Sequence, residues 1–172
     1  HPVPITGNIP LTRLPNPPTL IEHRNLRFLI MDAPTDANLP LYLKELVRNN
    51  VTDVVRVCEP TYSKRTLEES GIHVHDWLFP DGESPPDAII EDWLRLVESS
   101  NGDTSIACHC VAGLGRAPVL VAIALIEQGM SPLDAVSFIR ERRRGAINSK
   151  QLKFLETYVP RRARASSRCR IV

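Results

Sequence analysis

The strongest constraint on the fold is the run from Pro118 to Ile126, which contains no polar side chain. A helix that is apolar on every side must be surrounded by other elements. We therefore predict a central helix over 118–128, with Gly129 at its C-terminal cap. The apolar run Ser105–His109 before it predicts a buried strand. A strand and a helix joined by a short loop should thus form the centre of the molecule.

The rest of the chain alternates between short β-like runs and helical patterns. We predict further strands at 26–31, 51–58 and 73–77, and further helices at 40–48, after a Ser84 cap until Asn101, at 131–143, and from an Asn148 or Ser149 cap until Pro160. This alternation is typical of an α/β fold. The expected architecture is a central, mostly parallel sheet flanked by helices.

Composition narrows the class of protein. A chain of 172 residues that is 42% apolar is long enough for one domain with a substantial core. Its formal net charge of +1 argues against a globally basic nucleic-acid binder. Four cysteines do not form the dense pattern of a small secreted scaffold, and no stretch approaches the roughly 20 apolar residues that span a bilayer. We therefore expect a cytoplasmic protein without a transmembrane helix.

The loop between the central strand and helix carries the chemistry. It reads His109-Cys110-Val111-Ala112-Gly113-Leu114-Gly115-Arg116. Its two glycines can turn successive backbone N–H groups inward at a helix N-terminus, which makes a cradle for a tetrahedral oxyanion. The same donors stabilise a thiolate, so Cys110 is predicted to be a nucleophile. Arg116 can hold two phosphate oxygens with its planar guanidinium.

The string HCVAGLGRAP at 109–118 resembles the signature of the cysteine phosphatases, and in particular of the phosphatase of regenerating liver (PRL) family. VRVCEPTY at 55–62, GIHVHDWLFPDG at 71–82 and RRGAINSKQLKFLE at 143–156 resemble the corresponding PRL segments. The likeness covers roughly residues 24–160. It implies a protein tyrosine phosphatase domain over 21–160, acting on phosphorylated proteins, with dual specificity as an extension and without a cofactor.

A phosphatase also needs an acid that protonates the departing oxygen. Asp81 is the candidate, because it lies in a Pro/Gly turn before a helix, where a loop could close on substrate. Asp76 is the alternative. The resemblance favours Asp81, the Asp directly before Gly, although Pro80 replaces a second Asp that PRL proteins usually have there.

Three other residues in or next to the signature also have predicted roles. His109 is predicted to orient the loop through a hydrogen bond, with an acid–base role as the alternative. Ala117 stands where most of the superfamily has Ser or Thr; PRL proteins share this alanine, which implies slow breakdown of a phosphocysteine. Cys108 is predicted to be a core residue. The triplet 108–110 does not predict a zinc site, because adjacent strand side chains point to opposite faces and no second ligand pair is evident.

Cys58 ends a β-like run, so it is either an inert buried thiol or a functional one. The functional alternative comes from the resemblance, which implies a reversible disulfide with Cys110 that protects the nucleophile from overoxidation.

Both ends of the chain differ in composition from the centre. Residues 1–20 are Pro-rich and predict an extended arm outside the core. Residues 161–172 form a basic tail in which Cys169 lies four positions from the end. This tail is either solvated or a prenylation signal that holds the protein on the inner face of a membrane, although the final Val172 is unusual for one. The arginines at 140, 142, 143 and 144 predict a solvated helix end, with recognition of an acidic partner or anionic lipid as the alternative.

Three functions are compatible with parts of this pattern. The first is a phosphatase that works through a phosphocysteine. The second is a binding module, since the resemblance implies binding to the intracellular domain of a cyclin-M-type magnesium transporter and assembly into a homotrimer. The third, a sulfur-transfer protein, explains neither Asp81 nor the spacing of Cys110 and Arg116.

Overall fold

The computed structural model describes residues 13–161. A five-stranded sheet runs through its centre in the order β1-β2-β5-β3-β4. The strands are β1 (Thr19–His23), β2 (Leu26–Met31), β3 (Val51–Arg56), β4 (His73–Asp76) and β5 (Ser105–His109). β1 pairs antiparallel with β2, and all other neighbours are parallel. The mostly parallel sheet predicted from the sequence is confirmed.

Helices cover both faces of the sheet. They are α1 (Leu39–Arg48), α2 (Arg65–Glu69), α3 (Asp87–Ser99), α4 (Arg116–Glu127), α5 (Pro132–Arg142) and α6 (Ser149–Thr157). α1 and α2 pack on one face against Leu29, Met31 and Ala107. The other four helices pack on the opposite face, where Phe28, Ile30 and Ile106 point. Strand residues alternate between the two cores, as the pleat of a sheet requires.

The apolar run is the centre of the larger core. Within α4, every residue from Arg116 to Ile126 is buried, so this helix is surrounded as predicted. It begins at Arg116 rather than Pro118, which shortens the loop after β5. α5 and α6 are capped by Ser131 and Asn148, whose side-chain oxygens accept hydrogen bonds from the amides of Asp134 and Gln151.

The local structure differs from the sequence prediction in three respects. β1 and α2 were not predicted, because each is only five residues long and carries little periodicity. Ser84 does not cap α3: Pro86 occupies the cap position, and the helix has no side-chain cap. Residues 13–20, predicted as part of an arm outside the core, are partly packed: Leu14 is buried against the smaller core and β1 begins at Thr19. Residues 1–12 lie outside the described part.

None of the helices within residues 13–161 is both long and apolar enough to cross a bilayer.

Candidate active site

Cys110 lies at the carboxyl end of the central strand. β5 ends at His109, and the phosphate loop, defined here as residues 110–115, connects it to α4. Because β2 and β3 run parallel to β5 on either side, their carboxyl ends meet at the same edge of the sheet. Ligands of open α/β sheets bind at this edge. Cys110 itself is buried, which places it at the floor of the loop.

Four successive carbonyl groups of the phosphate loop are bonded to donors outside it. The pairs are Val111 O with Ala33 N at 2.9 Å, Ala112 O with Arg143 Nη2 at 3.0 Å, Gly113 O with Arg143 Nε at 2.7 Å, and Leu114 O with Ile147 N at 2.6 Å. These partners come from the segment after β2 and from the end of α5 and the loop that follows it. The carbonyls therefore face away from the centre of the loop.

The orientation of the carbonyls fixes that of the amides. In a trans peptide unit the C=O and the following N–H point in opposite directions. The amides of residues 112–115 therefore face the concave side of the loop, above Cys110. Within residues 13–161, none of these four amides donates to a protein acceptor. The loop thus presents converging donors to an anion, as predicted.

Gly113 is required by this conformation. Its φ of +63° lies in the left-handed region, and a Cβ there would lie 2.6 Å from the carbonyl oxygen of Met31. Both the backbone angle and the close approach of β2 exclude a side chain.

Arg143 is a site residue that sequence reasoning missed. The sequence predicts that it belongs, with three neighbouring arginines, to a solvated helix end, but its side chain is only 5% exposed. Besides the two loop carbonyls, its guanidinium donates to Asp32 Oδ1 at 2.8 Å, Ile30 O at 3.2 Å and Thr19 Oγ1 at 2.9 Å. It therefore ties the phosphate loop to β1 and β2. Arg140 also bonds within the chain, to the carbonyls of Ala146 and Ile147.

Arg116 is anchored through one nitrogen. Its Nη1 donates to the carbonyls of Val57 and Phe79 at 3.2 and 3.0 Å. Its Nε is buried and has no hydrogen-bond partner among the described residues. A buried donor without a partner costs about 1–3 kcal/mol, so an anion bound at the loop would relieve this cost.

Asp81 lies beside the same guanidinium. Its Oδ1 is 3.6 Å from Arg116 Nε, and its side chain is 83% exposed. A Cβ on Gly115 would lie 3.8 Å from that oxygen, so the carboxyl group borders the phosphate loop. The acid loop, defined here as residues 79–83, thus places Asp81 within reach of a ligand bound above Cys110.

The alternative acid, Asp76, is engaged elsewhere. Arg56 donates to both of its carboxyl oxygens, at 2.6 and 2.9 Å. These hydrogen bonds hold the pKa of Asp76 below its ordinary value. A carboxylate paired in this way is a poor proton donor, so the geometry favours Asp81.

His109 is buried beneath the nucleophile. Its Nε2 lies 2.7 Å from the hydroxyl of Tyr62, and its Nδ1 lies 3.9 Å from Cys58 Sγ. Burial lowers the pKa of His109 to about 4, although a hydrogen bond to the Cys110 backbone opposes this shift. The imidazole is therefore neutral at physiological pH. This geometry fits the predicted role in orienting the loop.

The two other described cysteines are also free and buried. Burial raises the pKa of the Cys58 thiol. Cys58 and Cys110 both belong to the core on the same side of the sheet. Cys108 is fully buried, and desolvation raises its pKa well above the ordinary value. Cys169 lies outside the described residues. No three His, Cys, Asp or Glu side chains within 13–161 cluster as metal ligands would.

Comparison with known proteins decides the family. The chain is 56% identical over 162 residues to the probable protein tyrosine phosphatase type IVA A of Dictyostelium discoideum, covering 92% of this chain and 96% of that protein. It is 51% identical over 147 residues to the PRL-1 phosphatase of Drosophila melanogaster, covering 84% of each chain. The chain belongs to the PRL family of protein tyrosine phosphatases.

Two further comparisons agree with the PRL assignment. Residues 31–130 match a family model described as "Polymorphic toxin system, DSP-PTPase phosphatase". A solved structure of a putative protein tyrosine phosphatase from Leishmania major is 43% identical, with a TM-score of 0.75, and covers 83% of this chain and 98% of its own. The predicted cysteine phosphatase fold is confirmed, and the chain is a cysteine-dependent protein tyrosine phosphatase.

Substituting Gly113→Ala should disorganise the phosphate loop, because the new Cβ meets Met31 O at 2.6 Å and the positive φ is strained. We expect a loss of about 100-fold in activity on aryl phosphates, comparable to the loss of an oxyanion donor. Gly102→Ala is the matched control, since its Cβ would meet atoms no closer than 3.7 Å. Equal activity of the two variants would contradict the assigned loop geometry.

The neutral state of His109 predicts a pH-dependent stability. Its folded pKa of about 4 lies below the ordinary 6.5, so between these values the unfolded chain binds a proton that the folded one excludes. Stability from this group is complete above pH 6.5 and is lost as pH falls to 4, by roughly 3 kcal/mol. Urea unfolding at several pH values would measure this slope. The slope should flatten in His109→Gln and persist in a variant of the exposed His73, His73→Gln.

Proposed function

We propose that this phosphatase removes phosphate from phosphotyrosyl proteins through a phosphocysteine formed on Cys110. The observation that carries the proposal is the outward bonding of four loop carbonyls, which leaves four amides facing the space above the sulfur. This donor set matches the equatorial oxygens of a phosphoryl group, whose charge must be stabilised in the transition state.

In the first step, the Cys110 thiolate attacks phosphorus as the bond to the tyrosyl oxygen breaks. The loop amides and Arg116, with its Nε unpartnered among the described residues, receive the phosphoryl oxygens. Asp81 gives its proton to the departing oxygen, so the phenol leaves neutral. The products of this step are a phosphocysteine, an Asp81 carboxylate and the dephosphorylated substrate.

In the second step, water attacks the phosphocysteine and gives its proton to Asp81. The sulfur–phosphorus bond breaks, and Cys110 leaves as a thiolate with inorganic phosphate as the product. Ala117 is fully buried behind the loop and has no hydroxyl to donate to the leaving sulfur. We therefore propose that this second step limits turnover.

The substrate range is proposed to include phosphoserine and phosphothreonine. The matched family model is described as a DSP-PTPase, which supports dual specificity. The exposed side chains of Val111 and Leu114 add apolar surface at the loop, which suits the ring of a phosphotyrosine.

Rapid mixing with an aryl phosphate tests the two-step scheme. Wild type should release about one equivalent of phenol per site in a burst and then turn over slowly. Cys110→Ser should abolish both phases, and Asp81→Ala should slow the burst by about 100-fold or more. Ala117→Ser should accelerate the slow phase and leave the burst intact. No burst in wild type, or a burst that persists in Cys110→Ser, would contradict the phosphocysteine.

Two cysteine modifications extend the proposal. Cys58 shares a buried core with Cys110 and lies beside His109, the residue before the nucleophile, which supports a reversible disulfide that protects the nucleophile. The basic tail supports prenylation of Cys169 and peripheral attachment to cytoplasmic membrane faces. Mass spectrometry can detect both modifications. Treatment with mild peroxide should link Cys58 to Cys110 by a disulfide. Protein expressed in a eukaryotic host should carry a lipid on Cys169. Absence of either product would contradict that part.

The partners are proposed from the family likeness. They are phosphorylated protein substrates, the intracellular domain of a cyclin-M-type magnesium transporter, and two further copies of the chain in a membrane-bound homotrimer. Transporter binding through the phosphate loop should weaken in Arg116→Ala in a pull-down, and undiminished binding would contradict engagement through that loop.

A further inference from the structure

Gln151 lies where the phosphate loop and the acid loop meet. Its side chain is fully buried, which is unusual for a glutamine. A Cβ on Gly115 would lie 3.4 Å from Gln151 Nε2 and 3.8 Å from Asp81 Oδ1. The amide of Gln151 and the carboxyl group of Asp81 therefore border the same glycine of the phosphate loop.

Asn148 and Gln151 form a capping box at the start of α6, in which the side chain of each accepts a hydrogen bond from the backbone N–H of the other. The oxygen and the nitrogen of the Gln151 amide therefore have different partners. Gln151 Oε1 accepts a hydrogen bond from Asn148 N at 3.1 Å, which caps the helix. Its Nε2 donates to Glu83 O at 3.3 Å, in the acid loop. Asn148 is used in the same way: its Oδ1 accepts from Gln151 N at 2.7 Å, and its Nδ2 donates to Gly82 O at 3.4 Å. Each oxygen serves the helix and each nitrogen holds the acid loop.

The acid loop depends on such backbone contacts. The Asp81 side chain is exposed, and its 3.6 Å separation from Arg116 Nε is longer than a hydrogen bond. Its carboxyl group therefore does little to hold the loop in place. The two carbonyls that follow Asp81 are both held by α6, so the position of the acid follows from the position of that helix.

We infer that Gln151, together with Asn148, is a positioning residue that holds the Asp81 carboxyl group over the phosphate loop for proton donation. The inference rests on the proposed role of Asp81 as the acid. α6 acts on the reaction through the acid loop and not through contact with the phosphoryl group. Loss of either amide donor should impair proton donation while leaving the phosphate cradle intact.

Two near-isosteric variants isolate the donors. Gln151→Glu and Asn148→Asp keep the oxygens that cap α6, and each removes one N–H donor to the acid loop. Two variants are used because one of them could fail to fold. Thermal unfolding of each variant would reveal such a failure. The matched control is Lys153→Met, which replaces an exposed side chain of α6 that has no hydrogen bond or ion pair to the acid loop within residues 13–161.

The measurement is the burst rate on two aryl phosphates. Phenyl phosphate has a poor leaving group that needs the acid, whereas 4-nitrophenyl phosphate has a good one that needs it little. We expect each donor variant to slow the burst on phenyl phosphate by about tenfold relative to the nitrophenyl ester. Vanadate inhibition should be unchanged in Asn148→Asp, whose new carboxylate is exposed, and Lys153→Met should resemble wild type. Combined with Asp81→Asn, the donor variants should add little further loss.

Several results would overturn the inference. Equal losses on both esters, weaker vanadate binding in Asn148→Asp, or full additivity with Asp81→Asn would indicate damage to the phosphate loop instead. If Asp81→Asn changes the ester ratio and the donor variants do not, the inference fails and the proposed acid stands. If Asp81→Asn itself leaves the ratio unchanged, the proposed acid fails and the inference fails with it.

Discussion

The carbonyls of residues 111–114 are bonded to donors on the outside of the phosphate loop, and the site depends on this arrangement. In an isolated peptide, successive amides would not point to one place, because each backbone N–H and C=O would form hydrogen bonds with water or within regular secondary structure. Here the surrounding elements donate hydrogen bonds to the four carbonyls, and Arg143 supplies two of these four bonds. The amides are then oriented before any ligand arrives. Such preorganised donors require little rearrangement during the reaction.

The same arrangement explains why the fold surrounds the loop so completely. Arg143 draws its partners from Thr19, Ile30 and Asp32, which are 124, 113 and 111 positions away in the chain. Ala33 comes from the segment after β2, and Ile147 comes from the loop between α5 and α6. The short edge strand β1 thus contributes to the position of the phosphate loop through one hydroxyl group. Packing at the periphery of the sheet and chemistry at its centre are therefore connected.

The correct predictions from the sequence concern residues that lie close together in the chain. The strand, the phosphate loop and α4 follow one another without interruption, so Cys110 and Arg116 could be recognised by spacing and glycine content. Asp81 was separated from Asp76 by resemblance, and the structure adds the physical reason, which is the Arg56–Asp76 pair. Arg143 and Gln151 escaped prediction because their roles depend on distant partners, and an arginine at a helix end or a glutamine in a helix is usually solvated. No periodicity marks such contacts.

The phosphate loop binds with its main chain and displays its side chains. The side chains of Val111, Ala112 and Leu114 are exposed, whereas the backbone amides of residues 112–115 face inward. Substitutions at these three positions can therefore remodel the surface around the opening while the oxyanion donors stay where they are. Selectivity and phosphate affinity are separable properties in this architecture, which allows relatives to diverge in substrate without rebuilding the catalytic centre.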